Sequence, residues 1–156
     1  MKNIKLELFA DYFQFYIQDD DKNKGDLSDS WTQEAVDRLF AIAPYAIGIG
    51  TVRNMDVPVS LQVCDREPHI NLNDWEHVVL SSIKCETGRL VVAGCTDYFP
   101  DAKRVNMQSG TYNVLACFTG LDTLSDDELD GDDSYHIYLY PGETVGVKVL
   151  KSRLKS

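Results

Sequence analysis

Long apolar runs, paired cysteines and positive charge are scarce in this sequence of 156 residues. No stretch approaches the roughly 18 consecutive apolar residues of a membrane span. The amino terminus alternates Ile4, Leu6 and Leu8 with Lys5 and Glu7, so it lacks the unbroken apolar segment of a signal peptide, and a cytoplasmic location is expected. Cys64, Cys85, Cys95 and Cys117 form no CxxC pair and have no histidine at a ligand-like interval, which removes the common zinc patterns. In a reducing compartment they read as buried thiols on strands. Lysine and arginine number 15 against 25 aspartates and glutamates, a formal charge of −10. That balance repels phosphate backbones and anionic lipid. Nucleic acid and membrane are disfavoured as direct partners, and a basic protein is favoured.

Signatures of catalysis are equally thin. The sequence has no phosphate-cradling glycine loop, no nucleophile elbow and no basic patch interleaved with aromatics. His69, His77 and His136 lie far apart, none with a nucleophile and a carboxylate in a recognisable motif. Sheet topology could bring Cys64 or Cys117 to one of them, since catalytic partners need only be adjacent in space. No catalytic residue, metal ligand or cofactor is assigned, and an enzyme is not expected.

What the sequence does contain is enough apolar material, 44%, for one self-sufficient domain over residues 1–156, burying roughly 70% of the extended chain's surface. Period-two patterning dominates, as strands with one buried face require. Phe13, Phe15 and Ile17 alternate with polar residues or Tyr16, and so do Val59, Leu61 and Val63. Tyr135, Ile137 and Leu139 repeat the pattern, and Val145, Val147 and Val149 close the series. Apolar runs near 45–52, 76–84, 88–96 and 111–119 are bounded by turn formers at strand-like intervals. Glu86-Thr87-Gly88 and Pro141-Gly142 read as tight hairpin connections. Tyr16, Tyr138 and Tyr140 fall on positions that could face solvent.

One segment changes period. Ser30 and Gln33 have the form of a capping box, and Trp31, Ala35, Val36, Leu39, Phe40 and Ala43 then recur at helical spacing up to Pro44. This predicts a helix of about three turns lying on the sheet. The expected fold is all-β: an antiparallel β-sandwich with one amphipathic α-helix between the second and third strands.

Two acidic stretches, 19–29 and 122–133, read as loops projecting from the sandwich, and the second holds seven acids and no base. Asp126, Glu128, Asp130 and Gly131 imitate the start of an EF-hand loop, but Ile137 occupies the position of its bidentate carboxylate. Charge runs of this kind commonly serve solubility. On a stiff β scaffold they can also occupy the cationic groove in which a nuclease holds phosphates. The candidate contact surface is therefore Asp122, Asp126, Asp127, Glu128, Asp130, Asp132 and Asp133.

The order of Tyr12, Gln14 and Phe15, then Trp31-Thr32, Glu34-Ala35 and Arg53-Asn54, then Gly110, Tyr112, Cys117, Tyr135 and Ile137, resembles the competence protein J family. That family includes the inhibitor of the DNA-entry nuclease of naturally competent bacilli. The resemblance implies a small acidic β protein that binds a nuclease and blocks it, without a cofactor. It supplies no inhibitory residue, and the acid-rich stretch before Asp133 is longer than the family pattern. Two other readings remain: a pocket for a small ligand or sugar, or an interaction module using exposed tyrosines or an unpaired edge strand.

Overall fold

The computed structural model describes residues 2–154, the Lys22 side chain excepted. Strands and one short helix follow in the order β1 (Lys2–Phe9), β2 (Gln14–Asp19), α1 (Gln33–Arg38), β3 (Phe40–Ala43), β4 (Ala46–Gly50) and β5 (Asp56–Val63). The chain continues through β6 (His77–Cys85), β7 (Arg89–Gly94), β8 (Lys103–Asn106), β9 (Gly110–Thr119), β10 (Ser134–Pro141) and β11 (Lys148–Lys151). A six-stranded sheet, β1-β5-β10-β9-β6-β11, faces a five-stranded sheet, β3-β4-β2-β7-β8. The fold is mainly β, as expected.

Alternation places Phe15 and Ile17 of β2, Ile47 and Ile49 of β4, and Leu90 and Val92 of β7 in one buried cluster with Val59, Leu61, Phe118, Tyr135, Ile137 and Leu139 of the other sheet. Each such side chain removed from water contributes about 1.5–3 kcal/mol, which is what holds the two layers together. Outside the core, Cys64, Val78, Leu115, Cys117 and Tyr140 form a second cluster with Ile70, Trp75 and Tyr138. The connection between β5 and β6 supplies Ile70 and Trp75 and covers the outer face of the six-stranded sheet. Tyr138 and Tyr140, placed by period two on a solvent face, are therefore covered by a loop, and Tyr140 is buried.

The expectation of wholly antiparallel pairing is corrected at one seam. β10 runs parallel to β5, from Tyr135 opposite Val59 to Leu139 opposite Val63, while it is antiparallel to β9. A parallel pair needs a long crossover, and here β6 to β9 lie between the two partners in sequence. The two supposed hairpins are also connections of another kind. Glu86-Thr87-Gly88 carries the chain from β6 in one sheet to β7 in the other, and Pro141-Gly142 leads towards β11, which pairs with β6. Of the closing valines only Val149 lies in a strand, and it is exposed.

The helix stands between the second and third strands, as predicted, but spans six residues, short of two turns. Thr32, not Ser30, is its cap, accepting a hydrogen bond from the Ala35 N–H at 3.2 Å. Gln33 turns its amide to Asp37 instead of reaching back. Leu39 enters the left-handed region at φ 58° and ends the helix, and Phe40 to Ala43 pair with β4. Pairing with a neighbouring strand overrode the helical spacing of Phe40 and Ala43. Pro44 lies in the β3–β4 turn. Among the described residues, no helix is long and apolar enough to cross a membrane.

Candidate functional site

The acidic loop between β9 and β10 is built from its own hydrogen bonds. Gly120 opens it at φ 72°, where a side chain would meet the Asp132 backbone. Leu121 is buried and donates its N–H to Glu76 at 3.0 Å, tying the first turn to the six-stranded sheet. The Thr123 hydroxyl donates to the Gly120 carbonyl at 2.6 Å and accepts from the Asp132 N–H at 2.7 Å, which closes the base. At the tip, Ser125 and Asp130 exchange hydrogen bonds at 2.8 and 3.1 Å. Asp127 accepts from the Ser125 hydroxyl at 2.6 Å and the Leu129 N–H at 3.1 Å. Those bonds hold the Asp127 carboxyl below the ordinary aspartate value.

The consequence is a fixed arc of outward carboxylates. Asp122, Asp126, Asp127, Glu128, Asp130 and Asp132 are exposed, and none forms an ion pair with another described residue.

Asp133 departs from that group. Its side chain is fully buried and meets Arg53 Nε at 2.7 Å. The Tyr135 hydroxyl donates to its other oxygen at 2.7 Å, while accepting from the Val52 N–H at 2.9 Å. Burial, then the Asp133 hydrogen bond, push the Tyr135 hydroxyl far above its ordinary value, so the phenol stays protonated and donating. The Tyr135 ring stands edge-on to Phe15 and Phe118 with centroids 6.0 and 5.6 Å away. Asp133 thus bolts the foot of the loop to the core and is removed from the contact surface. Arg53 and Tyr135 are the residues that residue-type reasoning missed here. Nothing in a linear pattern matches a lone arginine after β4 to a carboxylate in another loop.

The earlier acidic stretch projects only in part: Asp26 and Asp29 are exposed, but its first residues are drawn in. Asp19 is fully buried, accepting from the Glu86 and Thr87 N–H groups at 3.0 and 3.1 Å and from the Thr87 hydroxyl at 2.6 Å. Burial alone would raise its carboxyl, but these bonds, with help from Lys24, outweigh it and hold the group below the ordinary value. Asp20 pairs with Arg89 at 3.0 Å and Arg104 at 3.2 Å.

Three of the thiols and the His77 imidazole are buried in the fold. Cys95 is exposed, against expectation, because β7 ends at Gly94 and the chain leaves the sheet there. The other three are buried. The register sets Cys117 opposite His136, yet burial pushes its thiol up to about 12, far from a reactive thiolate. His77 is buried, its Nε2 donating to the Arg38 carbonyl at 2.7 Å and its Nδ1 accepting from the Arg153 N–H at 3.1 Å. Those partners require a neutral ring, and burial lowers its pKa accordingly. Among the described residues, no three His, Cys, Asp or Glu side chains converge as a metal site would need.

This two-sheet arrangement matches known structures. ComJ from Bacillus subtilis, described as the inhibitor of the DNA degrading activity of NucA, superposes with a TM-score of 0.62 at 19% identity, over 91% of this chain and 96% of that one. The chain has a ComJ-like fold. The product of crocagin biosynthetic gene J shares the fold, with a TM-score of 0.56 and 20% identity over 90% of this chain and 96% of its own. No family model and no curated protein matches the chain. At these identities the likeness concerns architecture, and a fold by itself carries many functions.

Proposed function

We propose that this protein is a nuclease-inhibitor-like binding protein that presents Asp122, Asp126, Asp127, Glu128, Asp130 and Asp132 to a basic partner, a DNA-degrading nuclease. The ComJ-like fold carries the reading, since ComJ is described as inhibiting the DNA degrading activity of NucA. Two physical features support it. The loop is ordered before any partner arrives, so little conformational freedom remains to be lost on association. Its exposed carboxylates pair with no cation among the described residues, which leaves them to steer a basic surface and to take the place of phosphates on arginine and lysine. A cytoplasmic, bacterial setting accompanies this reading.

The test is digestion of DNA by a purified cationic, sequence-independent nuclease from the same cell, with and without this protein. Inhibition at low salt that weakens as salt screens the charges is the expected result. Unchanged digestion at low salt refutes the proposal.

A second reading has one observation in its favour. An apolar cleft of about 330 Å³ lies between β3 and β6, lined by Ile42, Pro44, Ile83 and Val145 with Ser81 at its wall. Small-ligand sites are of this size and character. A rise in thermal midpoint with a small molecule, lost in Ile83→Ser, would support it.

A further inference from the structure

The turn between β1 and β2 holds two consecutive non-glycine residues in the left-handed region, Tyr12 at φ 58° and Phe13 at φ 60°. Large side chains rarely adopt that conformation, and here the core gives no compensation: Tyr12 is 69% exposed and Phe13 is 48% exposed. The strain is imposed from outside the turn. Ala10 donates its N–H to the Met55 carbonyl at 2.9 Å, and the Phe13 carbonyl accepts from the Thr51 N–H at 2.9 Å. The Phe13 N–H donates to the Ala10 carbonyl at 3.0 Å, closing the turn on itself. A rigid frame thus holds two aromatic rings outward at a conformational cost.

These rings border a cleft of about 510 Å³ whose apolar walls are Trp31, Val36, Leu39 and Val52, with Gln14 and Thr51 at its polar edge. Val36, on the solvent side of α1, is itself 49% exposed. The cleft adjoins the acidic loop through one segment. Residues 51–55 hold the Tyr12–Phe13 turn on one side. On the other, Val52 bonds to Tyr135, and Arg53 reaches the Leu129 carbonyl at 3.4 Å and Asp133 at 2.7 Å. An apolar cavity and an arc of unpaired carboxylates therefore share one end of the sandwich, with a common mount.

We infer that this cleft is the anchor site of the same docking surface, taking an apolar or aromatic side chain that projects from a basic face of the partner protein. The inference rests on the reading of the protein as a binder of a basic partner. Rigid exposed aromatics around a pocket are the usual hot spots of protein interfaces, and a surrounding charged rim sets approach and selectivity. Arg153 also lines the cleft, which disfavours an inserted lysine or arginine. Charge complementarity at the rim selects the partner, and the cleft holds it.

The two contributions respond differently to salt. Acidic-loop contacts weaken as ionic strength rises, whereas insertion of an apolar side chain does not. The experiment measures binding of the purified cationic nuclease at low and high salt to the wild type, to Asp126→Asn/Asp130→Asn/Asp132→Asn, to Tyr12→Gly/Phe13→Gly and to Val36→Lys. The glycine pair accommodates the left-handed backbone, so its thermal midpoint should not fall. Its affinity should fall roughly thirtyfold at both salt concentrations. Val36→Lys, on an exposed helical face, should weaken binding at both salt concentrations and most at low salt, where its charge also repels the basic partner; the loss that persists at high salt decides the matter if the glycine pair folds poorly. The loop variant should lose affinity mainly at low salt. If the wild type does not bind the nuclease, the reading and this inference both fall. If the wild type and the loop variant behave as expected but Val36→Lys binds like the wild type at high salt, the inference alone is overturned.

Discussion

At the start of the stretch from Asp19 to Asp29 the acids turn inward, while Asp26 and Asp29 stay exposed. Asp19 is buried among N–H donors, Asp20 lies between two arginines, and Asp21 and Asp26 accept from the Asn23 and Ser28 N–H groups at 2.9 Å. In the stretch from Asp122 to Asp132 the acids point outward, unpaired with any described cation, and only Asp133 at its foot is drawn into the core. The lesson concerns surroundings. A carboxylate is internal where donors from another element reach it, and it is left for a partner where they do not. Arg89, Arg104 and the 86–87 turn converge on the first stretch, while among the described cations the second receives Arg53 alone.

That contrast can be attacked from its strongest point. Asp133→Ala leaves the buried Arg53 charge uncompensated and should lower stability by about 3–5 kcal/mol, read as a shift of the denaturant midpoint. An unfolding curve like the wild type's would dissolve the distinction between bolt and rim. Asp19→Ala strands two backbone donors and should cost about 2–3 kcal/mol by the same measurement. Gly120→Ala combines a left-handed backbone with a collision against Asp132, and about 1–3 kcal/mol is expected, together with weaker nuclease inhibition from a displaced loop.

Acid titration probes the buried carboxyl of the first stretch more gently. The folded Asp19 carboxyl lies below its unfolded value, so its stabilisation is present above about pH 4 and is lost as pH falls below that. Asp19→Asn should flatten that acid limb. His77 and His136 are both lowered by burial, so the unfolded chain takes up protons first, and the midpoint should already begin to fall as pH drops through about 6.5. The smallest stability effect belongs to the rim. Asp126→Asn with Asp130→Asn should leave the midpoint unchanged while reducing the salt dependence of binding. A large loss of stability there would mean the loop is a structural element and not a free surface.

Much of the architecture was legible one strand at a time. Phe15 and Ile17, Val59 and Leu61, and Tyr135 through Leu139 announce their buried face by period two, which depends only on the pleat. The helix was legible in place but not in length, because Phe40 to Ala43 satisfy both a helical spacing and a buried edge strand, and the presence of β4 chose between them. Hairpin chemistry at residues 86–88 was read correctly as a turn and wrongly as a hairpin, since turn residues report a local bend and not which sheet receives the next strand. The exposed acids of the loop were legible as a charge run. Asp133 was not separable from them, and the Tyr12–Phe13 turn gave no signal, because nothing in two aromatic residues announces a left-handed backbone.

The sequence by itself determined the strand-rich class, the buried face of most strands, the place of the helix and the excess of negative charge. These follow from local sterics, side-chain periodicity and composition. Only the tertiary structure decided the parallel seam between β5 and β10, the burial of Asp19 and Asp133, the covering of Tyr140 and the strained aromatic turn beside the acidic loop. Each of these depends on groups far apart in the chain meeting in space, and the energy of a buried charge or a strained φ is set by what it meets.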